Sequence, residues 1–281
     1  MSAKKPIILI TSGISKTGAA VAKQLLAARG NCSVRVGSRD PNKLSALSAE
    51  GAEVVLIDET VSTAIAAFTG VHAAFIVLPS LVGGLEAELL ETFLHAAKQT
   101  GVKHIVYLSA VDAEIGNTVH KHYHYEQLLI KSCLSFTILR PTYFHENVIN
   151  YHAASIKDGV VAVHDIAAVA AAALADPLRH TGQIYTLTTE AVMDSQVAEK
   201  LSKVLGKQVS HVNVTPEEHL KILTQKYDRT RGAAFAAGLV DLDKNKRLSR
   251  WSVVDPALER VLGHKGISLE QFFTVNASSF N

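Results

Sequence analysis

Short apolar runs alternate along this chain with longer segments whose apolar residues recur every three or four positions. Pro6–Ile10 is continuously apolar and β-branched, the pattern of a strand covered on both faces. Ala19–Arg29 then carries Ala, Val and Leu at helical spacing and ends at Gly30, a C-cap residue. The alternation continues. Strands are expected over Cys32–Gly37, Ala52–Ile57, Ala73–Leu78, Lys103–Leu108, Phe136–Leu139 and Ile184–Leu187. Helices are expected over Pro41–Ala49, Glu59–Phe68, Leu85–Thr100 and Ile166–Ala175, the last capped by Asp165, with a short extended piece at Gly159–Val163. Strands that alternate with helices make a right-handed, mostly parallel sheet. From Glu190 the pattern changes, and 192–205, 216–226, 230–239 and 256–262 read as helices with few strands between. The expectation is an α/β fold. A doubly wound sheet spans residues 1–189 and a smaller, mainly helical lobe spans 190–281, the two interleaving around 143–165. Such a lobe belongs over the strand ends, as the second wall of a cleft.

The chemistry begins at the first strand–helix junction, Thr11-Ser12-Gly13-Ile14-Ser15-Lys16-Thr17-Gly18. A buried strand, a tight loop and a helix N-terminus form an anion site, because unpaired N–H groups and the positive helix end face whatever lies above. A dinucleotide pyrophosphate is the usual occupant, held here by Thr11, Gly13, Ser15, Lys16, Thr17 and Gly18. The full fingerprint has three glycines, whereas Ser12 and Ser15 add a Cβ that limits positive φ. An NAD-selective site carries an acidic residue about 20 residues after the loop. This chain has Ser38-Arg39 there, with Lys43 one turn on. A guanidinium and a hydroxyl suit a 2′-phosphate, so NADP(H) is favoured over NAD(H); the alternative is a pair of solvated surface charges.

Further strand ends supply further candidates. Asp58 lies near an adenine edge or caps the next helix. Leu78-Pro79 falls on the ribose side of a nucleotide. Ser109 either bonds a ligand or satisfies local backbone. The Leu85–Thr100 stripe is core. His120, His122 and His124 would line one face of a strand and suggest a metal, but Glu126-Gln127-Leu128-Leu129-Ile130 argues for a helix that scatters them, with His122 and Glu126 as i, i+4 neighbours. No metal site is expected. Tyr143, Phe144 and Asn147 in the stretch after Arg140-Pro141 are candidates for a pocket wall.

Composition narrows the classes. With 281 residues, 48% hydrophobic and 19% charged, the chain can bury a sizeable core and is not disordered. A net charge of +2 without a basic block gives no reason to expect nucleic acid. Two cysteines, Cys32 and Cys133, make neither a disulfide framework nor a zinc spacing. No leader or membrane-length apolar run stands out, so a cytoplasmic protein is expected.

Ile7–Gly18, Tyr107-Leu108-Ser109-Ala110, the Leu139-Arg140-Pro141…Glu146-Asn147 stretch and Asp165-Ile166-Ala167, in that order, resemble the NmrA-like family of atypical short-chain dehydrogenases. Lys16-Thr17 looks most like its fungal ergot-alkaloid reductases. The resemblance covers nearly the whole chain. It implies a Rossmann-type core, NAD(P) over Thr11–Gly18 and a C-terminal substrate lobe. The family includes NADPH-dependent reductases of quinones, imines and other small conjugated molecules, and also non-catalytic redox sensors that bind a protein partner. A homodimer also fits. The superfamily's Tyr-x-x-x-Lys pair is absent: Thr118 stands in the tyrosine's place and His122 in the lysine's. This argues against alcohol–ketone chemistry, which needs a proton delivered to an alkoxide. A quinone or iminium ion is already electron-poor and needs chiefly positioning, with His122 holding the nicotinamide ribose or donating a proton. The segment between Asn147 and Val163 is shorter than usual in the family.

Overall fold

The structure is a computed structural model that describes residues 5–28, 31–79, 85–111, 113–115, 121–151, 157–227, 236–241 and 252–280. Seven strands form one parallel sheet: β1 (Ile7–Ile10), β2 (Ser33–Ser38), β3 (Glu53–Leu56), β4 (Val71–Ile76), β5 (His104–Leu108), β6 (Phe136–Pro141) and β9 (Gln183–Leu187). Their order is β3-β2-β1-β4-β5-β6-β9. The order reverses direction between β1 and β4, which opens a crevice beyond their carboxyl ends.

Alternation along each strand divides the apolar residues between two cores. Ile8 and Ile10 of β1, Phe75 of β4 and Leu139 of β6 pack on one face with α1 (Lys16–Ala27), α2 (Ser45–Ala49) and, further along the chain, the helix at Val163–Ala175. Leu9, Ala74, Ile76, Ile105 and Ile138 pack on the other with α3 (Val61–Phe68), α4 (Glu86–Thr100) and α5 (His122–Lys131). The doubly wound, parallel α/β fold expected from the sequence is therefore present.

Beyond β6 the chain departs from the expected loop. Tyr143–Phe144 is a short strand, β7, and His145–Tyr151 a helix, α6. β8 (Lys157–Val161) pairs parallel with β7 and antiparallel with β10 (Glu190–Met193), so a second sheet of order β10-β8-β7 stands beside the first. Next to β8 comes α7 (Val163–Ala175), then α8 (Pro177–His180), and after β10 the helices α9 (Asp194–Leu205), α10 (Pro216–Tyr227), α11 (236–241), α12 (Ala257–Leu262) and α13 (Leu269–Val275). Tyr143, Val148, Val192, Val197 and Phe273 form the core of this second unit. The C-terminal portion is helical, as expected, although β10 and α13 had no place in the sequence reading.

Two expected caps change identity. Asp165 was expected to cap α7, but the helix starts two residues earlier, and its first N–H, on Val163, donates to the carboxylate of Glu146 at 3.1 and 3.2 Å. Asp165 is buried and instead accepts the Ile267 N–H at 2.6 Å, fastening the stretch before α13 to α7. Helix α1 begins at Lys16 rather than after Gly18 and ends at Ala27, so its C-cap is Ala28 rather than the expected Gly30.

Candidate active site

The loop between β1 and α1 owes its shape to close approaches. Ser15 caps α1: its hydroxyl donates to the Ser12 carbonyl at 2.8 Å and accepts from the Gly18 N–H at 3.0 Å. The Ser15 backbone lies at φ −73°, ψ 151°, which any residue adopts. Neither serine needs the positive φ that would have demanded glycine, since Cys133 is the one non-glycine residue with positive φ among those described. Gly18 is needed for a different reason. A Cβ there would stand 2.0 Å from the Ser12 carbonyl oxygen, and one at Gly13 would stand 2.9 Å from Leu44 Cδ2. The glycines that remain are those at which the backbone is pinched. The Gly13 N–H is tied to the Gly37 carbonyl at 3.0 Å. Thr11 accepts the Val77 N–H at 3.1 Å, stapling the ends of β1 and β4. The first-turn N–H groups of α1 have no intrahelical acceptor and point over this loop.

Beyond these strand ends lies a narrow cleft. Ile57, Val77, Leu89 and Phe93 supply its apolar lining; Thr11, Ser12, Ser38, Arg39, Asp58, Glu59 and Pro79 stand around them. Thus five residues singled out from the sequence, Thr11, Ser38, Arg39, Asp58 and Pro79, line one cavity. Glu59 joins it as the neighbour of Asp58 after β3, and Leu89 and Phe93 join it without any local signal, because only the sheet order brings α4 to this crevice. Leu78 is half-buried and packs on the α3–α4 core, while Lys16 and Lys43 are exposed. Asp58 does not cap α3 itself. Thr60 is the N-cap, and Asp58 braces it, accepting from the Thr60 N–H at 2.8 Å and the Thr63 hydroxyl at 2.5 Å. These bonds hold the Asp58 carboxyl below its ordinary pKa, the one from Thr63 most strongly. Ser38 is buried and accepts the Asp40 N–H at 3.0 Å. Arg39 pairs with Glu59 at 3.4 Å and Lys43 with Asp40 at 3.8 Å.

A second polar group gathers around β5. Ser109 is buried, and its hydroxyl donates to Glu126 at 2.5 Å. Glu126, fully buried, also accepts two bonds from Arg140, Nε at 2.9 Å and Nη2 at 2.5 Å. Arg140 reaches Glu114 at 2.8 Å through its remaining nitrogen. Beside this network, Tyr107 Oη lies 2.8 Å from His122 Nδ1. Burial, and then the nearby Glu126 charge, push the Tyr107 pKa well up. The phenol therefore stays protonated, and the hydrogen bond it shares with Nδ1 orients the His122 ring. The sequence singled out Ser109 and His122 but neither partner. An arginine inside a buried strand was the available signal, since such a cation requires a carboxylate. Thr118 and His120 lie outside the described residues. His124 is exposed. Among the described residues no three His, Cys, Asp or Glu side chains gather as a metal site.

In the expected pocket wall, Tyr143 is buried in the second core, Phe144 packs partly on the first, and Asn147 is half-buried. Between them His145 turns fully inward onto Phe272, ring centroids 5.3 Å apart.

This geometry has known counterparts. Residues 13–177 match the model of a family described as NAD(P)H-binding. The chain belongs to the NAD(P)H-binding family. The NmrA-like resemblance drawn from the sequence holds within it. The chain is 28% identical to prestalk A differentiation protein A of Dictyostelium discoideum, over 97% of this chain and 93% of that one. It is 26% identical to quinone oxidoreductase 2 of Escherichia coli, over 96% and 100%. Agroclavine dehydrogenase of Claviceps fusiformis is 33% identical over 52% of this chain and 56% of its own. The crystal structure of the NADPH-dependent quinone oxidoreductase QOR2 of Escherichia coli complexed with NADPH superposes with a TM-score of 0.85 at 25% identity, covering 98% of this chain and all of that one.

Proposed function

We propose that the protein is an NADPH-dependent reductase of a small conjugated electrophile, a quinone or an imine or iminium ion. One observation carries the reading: a cleft beyond β1 and β4, bordered by the loop that leads into α1, has Arg39 rather than a carboxylate just after β2. The names of the relatives support it, a quinone oxidoreductase along nearly the whole chain and a clavine dehydrogenase along half.

When bound, the reduced nicotinamide supplies a hydride. The chain's own residues bind and orient around it. Thr11, Gly13, Ser15, Lys16, Thr17 and Gly18 hold the pyrophosphate at the α1 N-terminus. Ser38, Arg39 and Lys43 take the 2′-phosphate, Asp58 borders the adenine, and Leu78, Pro79 and Ser109 flank the remaining cofactor surface. Tyr143, Phe144 and Asn147 border the substrate. Hydride addition to a quinone leaves an oxyanion, and His122, as the imidazolium, gives that oxygen a proton and becomes neutral, its ring held by Tyr107. Among the described residues no helix is long and apolar enough to cross a membrane, and we place the protein in the cytoplasm.

The test is NADPH oxidation in the presence of a panel of quinones and cyclic imines. Turnover with at least one of them, weakened by Arg39→Ala through the KM for NADPH, is the expected result. Silence across both classes overturns the reading.

A further inference from the structure

The cations at the end of β2 are not a simple phosphate trap. Arg39 and Lys43 are accompanied by three carboxylates, Asp40, Asp58 and Glu59. Two of these are tied to their own loops. Asp58 accepts from Thr60 and Thr63, and Asp40 accepts the Asn42 N–H at 3.2 Å. Glu59 differs. It lines the cleft together with Arg39, and its carboxylate holds the Arg39 guanidinium at 3.4 Å. Both side chains are about half exposed, 55% and 46%. An ion pair in that setting is weak and exchanges readily, so a doubly charged phosphate can take Arg39 from Glu59. After the exchange the Glu59 charge remains at the cleft wall beside the phosphate. A ribose carrying a free 2′-hydroxyl meets the opposite situation, because a carboxylate is the group that accepts from it.

We infer that Glu59 sets the nucleotide preference of this site, competing with the 2′-phosphate for Arg39 and keeping NADH usable beside NADPH. The inference rests on the reading of the cleft as the nucleotide site. Giving up a half-exposed ion pair to free Arg39 weakens phosphate binding by up to about fivefold.

Titration of the full-length protein with NADPH and NADH, followed by fluorescence at low salt, tests it in the wild type, Glu59→Gln, Arg39→Ala and the double variant. Glu59→Gln should tighten NADPH about fivefold and leave NADH equal or weaker, with the gain fading as salt screens the charges. In the Arg39→Ala background the same substitution should give less than half that gain, because the contested partner is gone. An NADPH-to-NADH ratio unchanged by Glu59→Gln, while Arg39→Ala still weakens NADPH, overturns this inference alone. Loss of the difference between wild type and Arg39→Ala, or failure of the wild type to bind either nucleotide, overturns the cofactor reading and this inference with it.

Discussion

Arg140 and Glu126 show what one buried residue obliges another to do. The glutamate side chain is 1% exposed and the arginine 14%. Each would be an uncompensated charge without the other, and the two bonds between them, with Ser109 on the same carboxylate, satisfy most of their polar atoms. Arg140→Met is therefore expected to destabilise the protein by about 3–5 kcal/mol. The double variant Arg140→Met, Glu126→Leu should recover most of that loss. Urea unfolding of the three proteins measures both effects, and an additive double variant would show that the pair is not coupled. At this scale the sequence was legible wherever position along the chain determines position in space. Arg39 could be placed because the end of the second strand faces the cofactor crevice in any fold of this type. The partners of Ser109 and His122 were not legible. Glu126 meets Arg140, and His122 meets Tyr107, only through the packing of α5 against β5 and β6.

Among the elements, α6 and α13 meet through a costly contact. His145 is fully buried against Phe272, and neither ring nitrogen has a hydrogen-bond partner. Burial lowers its pKa to about 3. His104, at the start of β5, is also fully buried but bonded to Ser135 and Thr137, and burial lowers its pKa to about 4. Both imidazoles are neutral in the fold and titrate near the ordinary 6.5 once unfolded. Their contribution is thus complete above about pH 6.5 and is lost as pH falls toward 4 for His104 and 3 for His145. His145→Phe removes an orphaned N–H from an apolar contact and is expected to gain about 1 kcal/mol at pH 7, more at pH 4.5. Chemical denaturation at the two pH values checks the sign and the slope. The elements of the parallel sheet were legible because a buried strand and an amphipathic helix have distinct periods. The second sheet was legible only at Gly159–Val163, the extended piece that overlaps β8. β7 has only two residues, and β10 runs directly into α9, so neither carries a run long enough to show a period.

For the whole molecule, the cleft joins the loop after β1 to residues at the ends of β2, β3 and β4 and in α4, so a dinucleotide bound there would bridge much of the first half of the chain. NADPH at a hundredfold excess over its Kd is expected to add about 2.7 kcal/mol to the unfolding free energy. Thermal unfolding with and without nucleotide measures this, and an unmoved transition would show that the folded protein does not bind it. The small sheet draws on separate parts of the chain: β7 and β8 precede β9 while β10 follows it. That arrangement imposes an order on synthesis. As the chain leaves the ribosome, the seven parallel strands are complete once Leu187 has emerged, yet β8 still lacks its antiparallel neighbour and Tyr143 and Val148 still lack the phenylalanines of α13. The strand edge closes within a few residues, as β10 emerges, but the nascent protein must carry an uncovered apolar face until α13 has been made. This is the interval in which a chaperone, or a stray partner, would find it.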